Sequence, residues 1–144
     1  MLMPDVNVLI YAHRTDAPFH APYHQWWNAV VNADRPFAIS TQVAIGFVRI
    51  VTQPKMPGGP TPLLGALAFM DDIITRPNCR LVAPDHEHWQ RTNRMCREAK
   101  AVGKLVADAQ HAAIAIAAGC TWVTRDKDFA RFVPHGLDWQ HLVL

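Results

Sequence analysis

Four of the ten aspartates in this 144-residue chain, Asp5, Asp108, Asp126 and Asp128, stand where one secondary-structure element should give way to the next. Asp5 lies in Pro4-Asp5-Val6-Asn7-Val8-Leu9-Ile10, a lone carboxylate among residues that should be buried. The ordinary reading of such a residue is a helix N-cap, because Asp satisfies the free amides of a first turn. Asp108 has the same two readings, ahead of a run with Ala at 109, 112, 113, 115, 117 and 118 that lets neighbouring backbone come close. In Thr124-Arg125-Asp126-Lys127-Asp128-Phe129, Asp128 is the better cap candidate, for a short helix carrying Phe129 and Phe132. Caps have no reason to converge, yet Asp5, Asp108 and Asp126 fall at what should be one edge of one sheet. Carboxylates brought within several ångströms repel and raise one another's pKa, at a cost to the fold. A divalent cation removes that conflict. Oxygen ligands without Cys or His favour Mg2+, or Mn2+ in its place, over zinc, and Mg2+ keeps waters able to attack a phosphodiester.

The elements that must position these acids alternate along the chain. Met1 to Asp5 reads as a short strand, with Pro4 at its end or at an unpaired position. Helices follow over Asn7 to His13 and about Pro18 to Ala33, then a strand over Pro36 to Ser40 and a helix over Thr41 to Thr52. Gln53 to Pro62, with four prolines and the Gly58-Gly59 pair, reads as a loop. Beyond it come a helix from Leu63 to Thr75, a strand from Cys79 to Ala83 and a polar helix from Asp85 to Lys100, which Gly103 ends. Asp108 opens the helix Ala109 to Ala118, Gly119 stops it, and Thr121 to Thr124 is a strand of β-branched and aromatic residues. Strands alternating with helices imply an α/β fold, a parallel central sheet flanked by helices on both faces. Ligands of such sheets sit beyond the carboxyl ends of the strands, where Asp5 and Asp126 both fall.

Taken together, Asp5-Val6-Asn7-Val8-Leu9-Ile10-Tyr11-Ala12, Gly46-Phe47-Val48-Arg49-Ile50, and Asp108-Ala109 with Thr124-Arg125-Asp126-Lys127-Asp128-Phe129 resemble the PIN-domain ribonucleases of the VapC type, across essentially the whole chain. These are toxins of type II toxin–antitoxin modules. The resemblance implies a single PIN-like domain over 1–144, with Asp5 and Asp108 at the principal Mg2+ ligand positions and Asp126 at the remaining acidic one. Asn7 and Thr124 match polar positions that shape the pocket. It also implies an RNA substrate, a small antitoxin received in a groove between the early helices, and a homodimer.

One departure concerns the helix that contains Gly46, where family members commonly carry a Glu. The chain has only Glu87 and Glu98, neither nearby. On that helix Gln42, Gly46, Arg49 and Gln53 form one stripe among apolar residues, facing either solvent or a groove. The resemblance favours the groove, with Gln42 placed to contribute an amide oxygen or to hold a metal-bound water. The number of metal ions is left open by the missing carboxylate.

Other features carry blander readings. His20 and His24 are four apart but lack the Glu of a His-Glu-x-x-His site, His86-Glu87-His88 reads as polar surface, and His111 as a helix-surface residue one turn from Asp108. Of the adjacent Trp26 and Trp27, one is expected in the core and the other at an interface. Arg49, Arg125 and Lys127 either position substrate phosphates or balance the carboxylates. Cys79, Cys96 and Cys120 fit neither a disulfide framework nor zinc knuckles and are read as reduced, mostly buried thiols. Half the residues are apolar and 18% are charged, which excludes a disordered chain, and the longest apolar or Gly run, Ala112 to Cys120, is far short of a membrane span. With no signal-like start, a cytoplasmic location is expected.

These readings converge on a Mg2+-dependent endoribonuclease acting through Asp5, Asp108 and Asp126, with Asn7, Gln42, Arg49, Thr124 and Asp128 in support. Two rivals differ in kind. An aspartyl-nucleophile phosphohydrolase wants a strand-terminal Asp-x-Asp, and Asp5-Val6-Asn7 lacks the second acid. A binding module that holds RNA or a partner without cutting draws its support from the missing Glu.

Overall fold

Strand and helix alternate from the first residues in the computed structural model, which describes residues 1–144. The order is β1 (Leu2–Pro4), α1 (Val6–His13), α2 (His20–Val31), β2 (Phe37–Ser40), α3 (Thr41–Val51), α4 (Leu63–Ile74), β3 (Cys79–Val82), α5 (His88–Ala99), α6 (Lys104–Ala117), β4 (Thr121–Thr124), a 3-10 segment (Lys127–His135) and β5 (Trp139–His141). All neighbouring strands are parallel, in the order β3-β2-β1-β4-β5. α1 to α4 pack on one another, as do α5, α6 and the 3-10 segment. Right-handed crossovers place these two groups on opposite faces. Chain direction across the sheet reverses between β1 and β4, so the crevice at their carboxyl ends is the topological switch point.

Pro4 closes the central strand without breaking the sheet. The Asp5 N–H bonds the Val123 carbonyl at 2.8 Å, so the ring of Pro4 stands on the other edge, where pairing with β2 has already ended at Leu2 opposite Phe37. Trp27 meets Phe37 edge-on and Phe47 stacks on Phe69 on one side of the sheet. Trp122, Phe129 and Phe132 form a second aromatic chain, all essentially fully buried. Burial of each such side chain is worth about 1.5–3 kcal/mol. No helix is long and apolar enough to cross a membrane.

Three expectations need correction. α6 starts at Lys104, after Gly103 turns the chain with a φ of 59°, so Asp108 is an interior helical residue and caps nothing. Asp126, not Asp128, caps the 3-10 segment, its Oδ1 accepting the Asp128 N–H at 2.9 Å. On α3 the expected apolar face is broken by Ile45, which is 69% exposed beside the exposed Arg49, while Val43, Phe47 and Val51 are buried. β5 was not anticipated at all.

Candidate functional site

Asp5 caps α1 through Oδ1, which accepts the Val6 N–H at 2.6 Å. The cap reading is therefore correct, but it uses only one oxygen. Oδ2 accepts the Thr124 hydroxyl at 2.6 Å and the Asn7 amide at 3.2 Å. Thr124, fully buried at the end of β4, also accepts the Asp126 N–H at 2.9 Å and the Asn7 amide at 3.2 Å. Asn7 Oδ1 in turn accepts the Arg125 N–H at 3.3 Å. Asn7 and Thr124 thus lock the ends of β1 and β4 together and fix two of the acids.

Asp108 approaches from α6. Its Oδ2 is buried without a hydrogen-bond partner, an arrangement that ordinarily costs about 1–3 kcal/mol. Burial raises its pKa, opposed by Lys104 and reinforced by the charges of Asp126 and Asp128. Asp5, 8% exposed, is pushed up to about 6, chiefly by burial and further by the charges of Asp108 and Asp126, against the bonds from Thr124 and Val6. At Asp126 burial works upward too, but the Asp128 N–H and the bond and charge of Lys104 hold its carboxyl below the usual range. Lys104 Nζ lies 3.1 Å from Asp126 Oδ2 and 3.7 Å from Asp128 Oδ2, and its own pKa is raised by that bond and by the surrounding negative charge.

The crevice is therefore over-supplied with negative charge. No three His, Cys, Asp or Glu side chains close into a ready ion cage. The donor set nonetheless suits a hard divalent cation: carboxylate oxygens only, one of them buried and unpartnered, and one acid whose ionisation is suppressed chiefly by burial and further by the charges of the other two.

Other expected participants lie elsewhere. Gln42 Oε1 accepts its neighbour's hydroxyl, Thr41 Oγ1, at 2.8 Å and reaches none of the acids. Gly46 does face the site's edge, since a Cβ there would lie 3.2 Å from Val6 Cγ2, but Arg49 and Lys127 are exposed and form no ion pair. Arg125 balances no carboxylate: its Cζ sits 3.8 Å from the Phe19 ring centre and 5.1 Å from that of Tyr11. That clamp, with His141 Nε2 2.9 Å from the Arg125 carbonyl oxygen, braces the loop that carries Asp126. His111 is a packing residue, stacked 5.2 Å from Trp122, and burial lowers its pKa to about 4. His20 and His24 set Nδ1 against the Tyr11 and Ala12 carbonyls and so satisfy the end of α1. Trp27 is core and Trp26 lines a surface cleft. Sequence reasoning missed Lys104. Its signal was the four-residue spacing to Asp108, hidden as long as the helix was begun at Asp108.

The family pattern described as PIN domain matches residues 2–133. Ribonuclease VapC43 of Mycobacterium tuberculosis is 36% identical over 141 residues, covering 98% of this chain and 95% of that protein. Ribonuclease VapC31 of the same species is 36% identical over 132 residues, 92% of this chain and 93% of the relative. Among solved structures, Mycobacterium tuberculosis VapC20, described as a sarcin-ricin loop cleaving toxin, superposes with a TM-score of 0.70 at 14% identity over the full length of both chains. VapBC2 from Rickettsia felis, bound to a promoter DNA fragment, gives 0.70 at 19% identity over 96% of each chain. At those identities the superpositions speak for the fold.

Proposed function

The chain belongs to the PIN-domain family, alongside the VapC ribonucleases, and from that premise we propose that it is a metal-dependent endoribonuclease and the toxin of a type II toxin–antitoxin pair. The observation that carries the reading is the buried, unpartnered Asp108 Oδ2, on a residue close enough to Asp5 and Asp126 for their charges to interact. These three acids would hold a divalent cation, Mg2+ with Mn2+ as a substitute. When bound, such a cation would supply an oriented water, made more acidic than bulk water, and positive charge against phosphate oxygens.

The chain's own residues do the positioning. Thr124 and Asn7 hold Asp5 Oδ2 in place, and the Asp128 N–H orients Asp126. The first turn of α1 opens on the same crevice and adds partial positive charge. Lys104, 67% exposed on its side chain, keeps hydrogens free for a phosphate oxygen of RNA while its charge restrains Asp126. Residues 1–144 are read as one domain. An antitoxin partner is supported by the VapBC assemblies of the same fold, and a homodimer is part of the same reading.

A second reading, an RNA-holding module that does not cut, draws on α3, which offers no carboxylate and whose Gln42 oxygen is already engaged. Structured RNA incubated with wild type and with Asp5→Asn, in Mg2+ and in EDTA, separates the two. Cleavage by wild type only, and only with Mg2+, is expected. No cleavage of any RNA favours the holding module, and equal cleavage by both proteins means the site is wrong.

A further inference from the structure

Arg14, the residue after α1, is 8% exposed, an unusual depth for a guanidinium. It grips Asp16 with Nε and Nη2 at 2.9 and 2.8 Å, and reaches across to the loop between α3 and α4 through the Pro57 carbonyl at 2.9 Å and Thr61 Oγ1 at 3.2 Å. Gly58 lies so close to this pair that a Cβ would stand 1.7 Å from Asp16 Oδ2. With Asp16 half exposed the ion pair adds little stability, but the four bonds of the buried guanidinium fix one arrangement of the parts they join. Here they fix the Pro-rich loop as one wall of a cleft of about 490 Å3.

The floor of that cleft is one stripe of α1, Asn7, Ile10 and Tyr11, and Met56 and Gly58 belong to the wall. Its inner end is Asn7, whose amide is bonded to Asp5. From Asn7 to Arg14 the helix rises about 10 Å, room for one nucleotide beside the acids. Apolar surfaces from Ile10, Tyr11 and Met56 suit the flat faces of a base. Asp16, 44% exposed on its side chain and held ionised by its bond to Arg14, offers its remaining lone pairs as acceptors only.

We propose that this cleft is the subsite for the base of a nucleotide flanking the cut, and that Asp16 makes it select a base bearing an exocyclic amino group over uracil. The proposal rests on the ribonuclease reading, but its binding half is tested without cleavage. Uracil's one donor on that edge, the ring N3–H, is flanked on both sides by carbonyl oxygens that the carboxylate repels, whereas adenine, cytosine and guanine each present an exocyclic amino group with two hydrogens.

Titrating the protein with AMP, CMP, GMP and UMP while following the Met56 methyl and Gly58 amide by NMR tests this. The three amino-bearing nucleotides should half-saturate at concentrations about three- to tenfold below UMP, the worth of one hydrogen bond. Asp16→Asn, which replaces an acceptor with a donor, should erase that preference. Met56→Ala, which leaves the Pro57 carbonyl and the Arg14–Asp16 pair in place and whose melting point checks the fold, should weaken all four alike. UMP binding as tightly as the others, or shifts elsewhere on the surface, would overturn the proposal. Sequencing the ends cut from a random RNA pool distinguishes the two failures. An uncut pool with the expected shifts sinks the ribonuclease reading and spares the subsite; a pool cut with no uracil-poor flanking position sinks the subsite alone.

Discussion

Thr124 Oγ1 donates to Asp5 and accepts from the Asp126 amide, so one buried hydroxyl joins the ends of two strands. Thr124→Val keeps the shape and removes both bonds as well as the one from the Asn7 amide. The expected cost is about 1–3 kcal/mol, a melting point lower by about 2–4 °C per kcal/mol, together with loss of stabilisation by Mn2+. Melting and Mn2+ response like those of wild type would contradict the role. Lys104 competes with a cation for Asp126, so Lys104→Gln should tighten Mn2+ binding by about three- to tenfold in calorimetry, the effect of one charge several ångströms away in a screened site. His111 sets a pH dependence. Unfolded, its imidazole titrates near 6.5, and folded at about 4. Between those values the unfolded chain binds a proton that the folded chain rejects, so this contribution is complete above pH 6.5 and is lost as pH falls toward 4, up to about 3 kcal/mol. In His111→Gln the stability measured by denaturant titration should fall less over that window, and an unchanged slope would exclude the effect. At this scale Asp5 and Asp126 were legible because an acid after a strand is a recognisable pattern, whereas Asn7 and Thr124 stood out only through the resemblance to the family. Arg125 was not, because nothing in its neighbours shows that its guanidinium turns back onto Phe19.

Two adjacent glycines make an internal control for the α3–α4 loop. Gly58 and Gly59 both have positive φ, 79° and 89°, but only Gly58 presses on the Arg14–Asp16 pair. Gly58→Ala must therefore break that pair as well as strain the backbone, and should cost about 2–4 kcal/mol against about 1 for Gly59→Ala. Equal melting points for the two variants would show that the clamp does not hold the loop. The alternation of strands and helices could be read from pattern because each long helix has one apolar stripe and each of β1 to β4 a compact apolar run. Boundaries set by backbone turns were misread. The Ala-rich run drew the start of α6 to Asp108, although Gly103 fixes it at Lys104. β5 escaped because Trp139–His141 is a three-residue edge strand with two polar side chains and no periodicity to detect.

For the whole molecule, a net charge of +2 conceals a division. With Asp5, Asp108, Asp126 and Asp128 set apart, 14 basic residues face 8 acidic ones, a balance of +6 around a negative crevice. Such a body attracts RNA while the crevice attracts a cation. The shortage of Glu has a structural counterpart: α3 reaches the edge of the site through Gly46 and brings no carboxylate. The account therefore depends on the acids that are present, above all Asp108, whose buried oxygen finds no hydrogen-bond partner in the protein. The most direct test is the rate at which Asp108→Asn cleaves RNA at saturating Mg2+, with its melting point as the check on folding. The prediction is a fall of about a hundredfold or more with a melting point no lower than wild type, since an uncompensated buried charge has been removed. Cleavage at the wild-type rate by the folded variant would contradict the account.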